Sequence, residues 1–389
     1  MSENAPNASE RKGSNLLGGL LVGMALGAGG YLLGTQLGQA MRGAGSRPLE
    51  RSAPEVVLLL LVAVVAVGGS LLAHELGHLL AGRLVGFRAY LLIIGPFRLE
   101  RGEDRWHLHL NRRVALAGGL AGSAPTDTVA LTRRMAVMIA GGPATSVISG
   151  LLALGAAWAT QPQTFGPETS NGVVALTGAL GAFGAASVLI GVATLVPSRA
   201  GGFASDGARL LALARGGPAA ERDAALAALV GASIGGIRPR DLPAALIDTV
   251  CAVQDGSTFE FCGWQYAQMR AADLGRDDEA RALLERLLTQ VDRLPPMLRA
   301  GVHYDAARQF AALGDYDAAR AQLALGTGPA IGAPHLQPLA EAAVLLSEGK
   351  EEAARPKLAA AKTGLARSID RGTAKWLGDA LAALENSYS

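Results

Sequence analysis

Charge is what this sequence has least of. Only 17% of its 389 residues are Asp, Glu, Lys or Arg, against roughly 25% in ordinary soluble proteins. Half are hydrophobic, and the mean hydropathy is +0.28. The charges nearly cancel, to a formal +2, which is too small to point to a nucleic-acid partner. Cysteine is scarcer still. Cys251 and Cys262 both fall in the polar C-terminal part, lack metal-ligand spacing, and read as reduced structural thiols. Also missing is a persuasive signal-peptide cleavage site after the first apolar stretch, residues 16–40, which is too long for a signal h-region and reads as a membrane segment. Glycine, by contrast, is abundant at 51 residues, and in a membrane bundle small residues let helices approach closely.

Long uncharged runs are what the sequence does have. In 16–40, Gly19, Gly23 and Gly27 recur every four residues, as do Gly30, Gly34 and Gly38, which suggests two tight packing faces; a Gly-rich surface or re-entrant hairpin is the alternative. After a linker carrying Arg42, Arg47 and Arg51, the run 56–73 is uncharged. At 1.5 Å per residue it makes about 27 Å of helix, so His74 falls near the far side of a hydrocarbon core about 30 Å thick. Gly68, Gly69 and Ser70 can loosen or bend this helix just before that point. Residues 87–113 change character: 90–94 is β-prone, Gly95-Pro96 signals a turn, and 106–110 alternates with period two, so short strands or hairpins are expected. Two further apolar runs follow, 135–160 with Gly141-Gly142-Pro143, and 173–196 ending at Pro197.

The remainder is Ala-rich, helical and soluble in character. Leu274-Gly275-Arg276-Asp277, Leu313-Gly314-Asp315-Tyr316 and Glu348-Gly349-Lys350-Glu351 are comparable stretches whose glycines stand 39 and 35 residues apart. That spacing is close to the tetratricopeptide period of about 34 residues; a generic helical bundle with glycine C-caps is the alternative. Arginine sets the expected orientation. The 83–134 loop is rich in it, whereas 161–171 has no Lys or Arg, which places the first loop and the C-terminal domain in the cytoplasm and the second loop outside. The arginines of the 41–55 linker run against that assignment.

The chemistry centres on His74-Glu75-Leu76-Gly77-His78. On a helix, residues i and i+4 share a face, so His74 and His78 can bind one Zn²⁺. Glu75, one step round, can act as the base that takes a proton from the water. Two histidines and a glutamate at the end of an uncharged helix are costly in lipid without partners. A catalytic site wants a third protein ligand and an open position. Asp206, followed by Gly207 and opening a helical stretch, is the candidate, and its alternative reading is an N-cap. His107 and His109 share a strand face and could bind metal, although one polar strand face is the commoner outcome.

His-Glu-Leu-Gly-His in a membrane helix, Gly-Pro in the next span and Asp-Gly after the last resemble the site-2 protease family of intramembrane metalloproteases, over about residues 56–211. The resemblance implies zinc held by His74, His78 and Asp206, water activated by Glu75, and cleavage of membrane or membrane-adjacent segments of other proteins. Three positions depart from the family pattern. Ser146 stands where an asparagine helps hold the substrate strand, Thr194 stands where asparagine precedes the proline loop, and Ser205 stands where leucine precedes the aspartate.

The expectation is therefore an all-α polytopic membrane protein of about four spans with a short β-hairpin insertion. It divides into an N-terminal tail and Gly-rich segment (1–52), a metalloprotease core (53–215) and a cytoplasmic helical, tetratricopeptide-like domain (216–389). Its expected setting is a bacterial cytoplasmic membrane. Its expected partners are the lipid bilayer, a membrane-protein substrate and a protein docked on the helical domain. The competing expectation is a membrane-anchored helical scaffold with a residual zinc site; the intact Glu75 favours the enzyme and Ser146 favours the scaffold.

Overall fold

The computed structural model describes residues 53–101, 105–110, 119–160, 171–200, 203–330 and 332–387. The Gly-rich 16–40 segment, the linker arginines Arg42, Arg47 and Arg51, and nearly all of the loop expected outside lie beyond the described residues. Where it is described, the chain is mostly helical, with a small sheet.

Three helices carry the apolar runs: α1 (Ala53–Leu84), α2 (Leu131–Ala159) and α3 (Asn171–Leu195). Each contains a stretch long and apolar enough to cross a membrane, Val64–Leu84, Leu131–Ala159 and Leu176–Leu195. A helix is the natural form for such runs, because in lipid every backbone N–H and C=O must find its partner within the chain. Large apolar side chains face outward, Val65, Leu152 and Trp158 each being more than two-thirds exposed. α1 runs unbroken through Gly68-Gly69-Ser70. Gly69 and Ser70 serve packing rather than a break: the Phe183 ring lies 3.5 Å from where a Gly69 Cβ would sit, and the Ser70 hydroxyl reaches the Ala66 and Phe183 carbonyls.

The three helices meet through glycine. A Cβ on Gly77 would stand 2.5 Å from the Gly141 carbonyl oxygen and 2.6 Å from Thr145 Oγ1. Gly150 and Gly184 face each other across α2 and α3, where a Cβ on either would come within 2.9 Å of the other's carbonyl oxygen. Arg134, at the start of α2, donates to the Val85 and Gly86 carbonyls in the turn that follows α1, and so ties the two helix ends together.

Between α1 and α2 lie β1 (Phe87–Ile94), β2 (Phe97–Arg101), β3 (Trp106–Leu110) and β4 (Leu120–Pro125), in sheet order β3-β2-β1-β4. The hairpins expected from the alternation are present, and a fourth strand joins them. β4 reads Leu-Ala-Gly-Ser-Ala-Pro; with no β-branched or aromatic residue it carries no strand signal. Its Gly122 lies under the Tyr90 ring, where a Cβ would stand 2.8 Å from Cε2. After α3, a two-residue hairpin, β5 (Arg199–Ala200) and β6 (Phe203–Ala204), leads into α4 (Asp206–Arg215).

The chain divides into two compact units. The described residues of the first fall within 53–99, 108–123 and 133–214; the second holds the rest, chiefly from Arg215 onward. The second unit contains α5 (Pro218–Ile234), α6 (Ala244–Cys251), α7 (Thr258–Asp273), α8 (Asp277–Leu288), α9 (Pro296–Ala312), α10 (Tyr316–Leu325), α11 (Leu336–Ser347), α12 (Glu351–Leu365) and α13 (Arg371–Ser387). Its largest core joins Leu229, Ile247, Val250, Leu339 and Leu377.

Three successive helix pairs in this unit, α7–α8, α9–α10 and α11–α12, turn on the three glycines singled out above. Gly275, Gly314 and Gly349 all take positive φ, between 71° and 77°. At each corner the glycine N–H bonds three residues back, and the next N–H bonds five residues back: Arg276 to Ala271, Asp315 to Phe310 and Lys350 to Leu345. This is the Schellman closure of a helix end, repeated three times.

The corner glycines have open space where a Cβ would go, so an alanine there meets only the backbone penalty of a left-handed residue, about 1–2 kcal/mol. Gly314→Ala should lower the stability of the helical unit by that amount, read as a lower denaturant midpoint by circular dichroism. Ala312→Gly, at the last residue of α9, should cost at most about 0.5–1 kcal/mol.

Candidate metal centre

His74, Glu75 and His78 lie on α1, and Asp206 is the first residue of α4. His74 and Glu75 are buried; His78 and Asp206 are half-buried. The structure brings the three expected ligands together. His74 Nε2 and His78 Nε2 are 3.3 Å apart, and both face Asp206 Oδ2, at 3.2 and 3.5 Å. The two imidazoles meet edge to face, at 88°. Among the described residues these three form the one group of His, Cys, Asp and Glu able to hold a metal ion, and His107 and His109 are not in it.

Which ring nitrogen is free follows from the partners. His78 Nδ1 lies 3.1 Å from the Met138 carbonyl, which can only accept, so the proton of a neutral His78 sits on Nδ1 and its Nε2 presents a lone pair. Carboxylate oxygens also only accept. Lone pairs therefore converge on one point, and such an arrangement calls for a cation or a shared proton between them. Burial raises the Asp206 carboxyl pKa, but where protons on the histidines take a cation's place, their hydrogen bonds and charge outweigh burial and hold the group below the usual carboxylate range.

The neighbouring residues explain how this geometry is reached. Gly142 leaves the space that the His78 ring fills, since a Cβ there would run into Nε2 and Cε1. Pro143 breaks the hydrogen-bond ladder of α2 one residue later. Ser205 is the residue that caps α4: its Oγ accepts from the Ala208 N–H and donates to the Val196 carbonyl, and its own N–H bonds Ser198 O. With Ser205 capping, Asp206 is not an N-cap and its carboxylate is free to face the histidines. Gly207 presses against the Leu195 carbonyl with no room for a side chain, which pins the start of α4 to the end of α3. Thr194 bonds back to Gly191 O within its own helix.

Glu75 is outside the ligand group. Its carboxylate accepts from the Ala121 N–H and lies against Gly119, where a Cβ would stand 2.5 Å from Oε1. Gly119 also has φ +103°, so both space and backbone require glycine there. Ser146, expected at a substrate-gripping position, is fully buried, and its Oγ lies 3.0 Å from His74 Nδ1. It touches a ligand rather than an open groove. Sequence reasoning did not find the roles of Gly142, Gly119, Ala121, Ser205 or the Met138 carbonyl. Gly142 alone left a signal, in its Gly-Pro pair.

Two substitutions test the arrangement by metal analysis and chelator competition. Asp206→Ala should remove one ligand and lower metal affinity at least a hundredfold. Gly142→Ala, which touches no ligand's chemistry but fills the His78 ring's space, should weaken binding comparably; unchanged affinity in Gly142→Ala would mean that the His78 ring sits elsewhere.

No family model, curated protein or solved structure matches this chain.

Proposed function

We propose that the chain is an intramembrane zinc metalloendopeptidase of the site-2 protease type, cleaving a peptide bond in or near a transmembrane segment of another protein. The observation that carries this reading is the convergence of His74 Nε2, His78 Nε2 and Asp206 Oδ2 beside a glutamate that belongs to the same helix but not to the ligand set. Tetrahedral zinc with bonds of about 2.0–2.1 Å needs its ligand atoms about 3.3–3.4 Å apart, and the three separations of 3.2, 3.3 and 3.5 Å fit that requirement. A two-histidine, one-carboxylate set also leaves the fourth position open, as catalytic zinc sites do.

Zinc at this site would act as a Lewis acid, bringing a water's pKa toward about 7 and polarising the scissile carbonyl. The chain's own residues do the rest. Glu75 takes the proton from the attacking water and returns it to the departing amine nitrogen. Its bond from the Ala121 N–H aims the carboxylate. Asp206 and the two imidazoles set the charge of the site, and the apolar helices around them restrict bulk water. The helical unit offers stacked helix pairs, a form that builds protein-docking surfaces, and we assign it the recruitment of a partner or substrate. We place that unit in the cytoplasm of a bacterial cell on the arginine-rich 83–134 loop.

The second reading is a membrane-anchored helical scaffold that keeps the metal site without proteolysis. It is favoured by Glu75 being buried beneath Gly119 and by Ser146 facing His74.

Glu75→Gln separates the two. Glutamine nearly matches the shape and Glu75 is not a ligand, so protein level and zinc content should stay normal. Loss of a general base removes roughly 10²–10⁴-fold in rate, so cells should accumulate an uncleaved membrane substrate. A variant indistinguishable from wild type in substrate processing would leave the scaffold. Orientation is checked by cysteine labelling in intact cells. Position 98 and the helical unit should be protected and position 167 reactive; the reverse pattern would invert the assignment.

A further inference from the structure

We propose that Ser146 is a positioning residue for the metal site: its hydroxyl accepts the His74 Nδ1–H, and so holds the imidazole in the tautomer and orientation that turn a lone pair on Nε2 toward the ion. The inference rests on the metal reading of the site and adds to it a function for a residue outside the ligand set.

The argument begins with the 3.0 Å contact between Ser146 Oγ and His74 Nδ1. A hydroxyl can donate or accept, so distance alone does not say which atom carries the proton. The opposite side of the ring does. His74 Nε2 faces Asp206 Oδ2 and the proton-free His78 Nε2. A cation can occupy that point only if His74 Nε2 is unprotonated, and a neutral imidazole must then carry its proton on Nδ1. Among the described residues the partner of that Nδ1 is Ser146 Oγ. His78 is arranged the same way, with Nδ1 on the Met138 carbonyl. Each ligand imidazole is thus backed by an acceptor on α2, at residues 138 and 146, two turns apart on the helix that packs against α1.

Burial sharpens the point. Ser146 is wholly inaccessible, and a buried hydroxyl without a partner is costly. α3 closes over it, so that a Cβ on Gly191 would stand 3.0 Å from the Ser146 Cβ. That space suits a short side chain whose one polar atom meets the imidazole. Loss of such an outer partner typically lowers metal affinity by 10- to 100-fold.

The test is Zn²⁺ affinity of the full chain in detergent, by chelator competition, for wild type, Ser146→Ala, Ser146→Cys and Ser146→Thr. Alanine removes the acceptor. Cysteine keeps nearly the same shape but offers only a weak acceptor. Both should bind Zn²⁺ roughly 10- to 100-fold more weakly than wild type. Threonine restores the hydroxyl and should recover most of the affinity, a rescue that mere space-filling would not give. Wild-type affinity in either the alanine or the cysteine variant overturns the proposal, and so does a threonine variant that folds but binds as weakly as alanine. If the threonine variant does not fold, the alanine and cysteine results decide alone. Failure of the wild-type chain to bind Zn²⁺ would instead remove the metal reading, a result distinguishable from a Ser146 effect because it does not depend on residue 146.

Discussion

Gly77 and Gly141 bring the backbones of α1 and α2 so close that a methyl group on Gly77 would press on the other helix's carbonyl. The candidate site depends on that closeness. At an ordinary helix separation of about 8–10 Å, with side chains between, His74 would not reach Ser146 and His78 would not reach the Met138 carbonyl. The glycines therefore do more than permit packing in lipid. They turn α2 into a rack of acceptors for the imidazoles of α1, and the empty place at Gly142 accommodates the second ring.

Asp206 comes from far along the chain, and its placement has a separate cause. Ser205 takes over the capping of α4 and ties the 196–198 segment to it, while Gly207 closes α4 onto the end of α3. The carboxylate is then spared the local hydrogen bonds that an aspartate at a helix start usually makes.

The parts of this site that were legible in the sequence are those governed by local periodicity or by composition. Histidines four apart on an apolar helix share a face whatever surrounds them, and three uncharged runs announce helices. The corner glycines of the helical unit were legible because a left-handed residue at a helix end has few substitutes. What stayed hidden was set by distant contacts. β4 is built of small residues whose strand character comes from pairing beneath Tyr90. Gly119 looks like loop glycine until Glu75 is placed against it. Ser146 looked like a weakened substrate contact because its position was read from a resemblance, whereas its burial and its histidine partner exist only in the folded bundle. Ser205, similarly, looked like a departure and proved to be the cap that frees the neighbouring ligand.

The three candidate ligands also lie on stretches of chain that the fold must bring back together, α1 at residues 74 and 78 and α4 at residue 206. An ion held between them would be a cross-link. In the folded chain it would close the loop that contains the sheet, α2 and α3. Since metal affinity gained only in the folded state is folding free energy, the three atoms able to hold an ion would also fasten the end of the bundle. A chain with two free thiols, both outside this loop, would then draw its one covalent-like staple from the site itself.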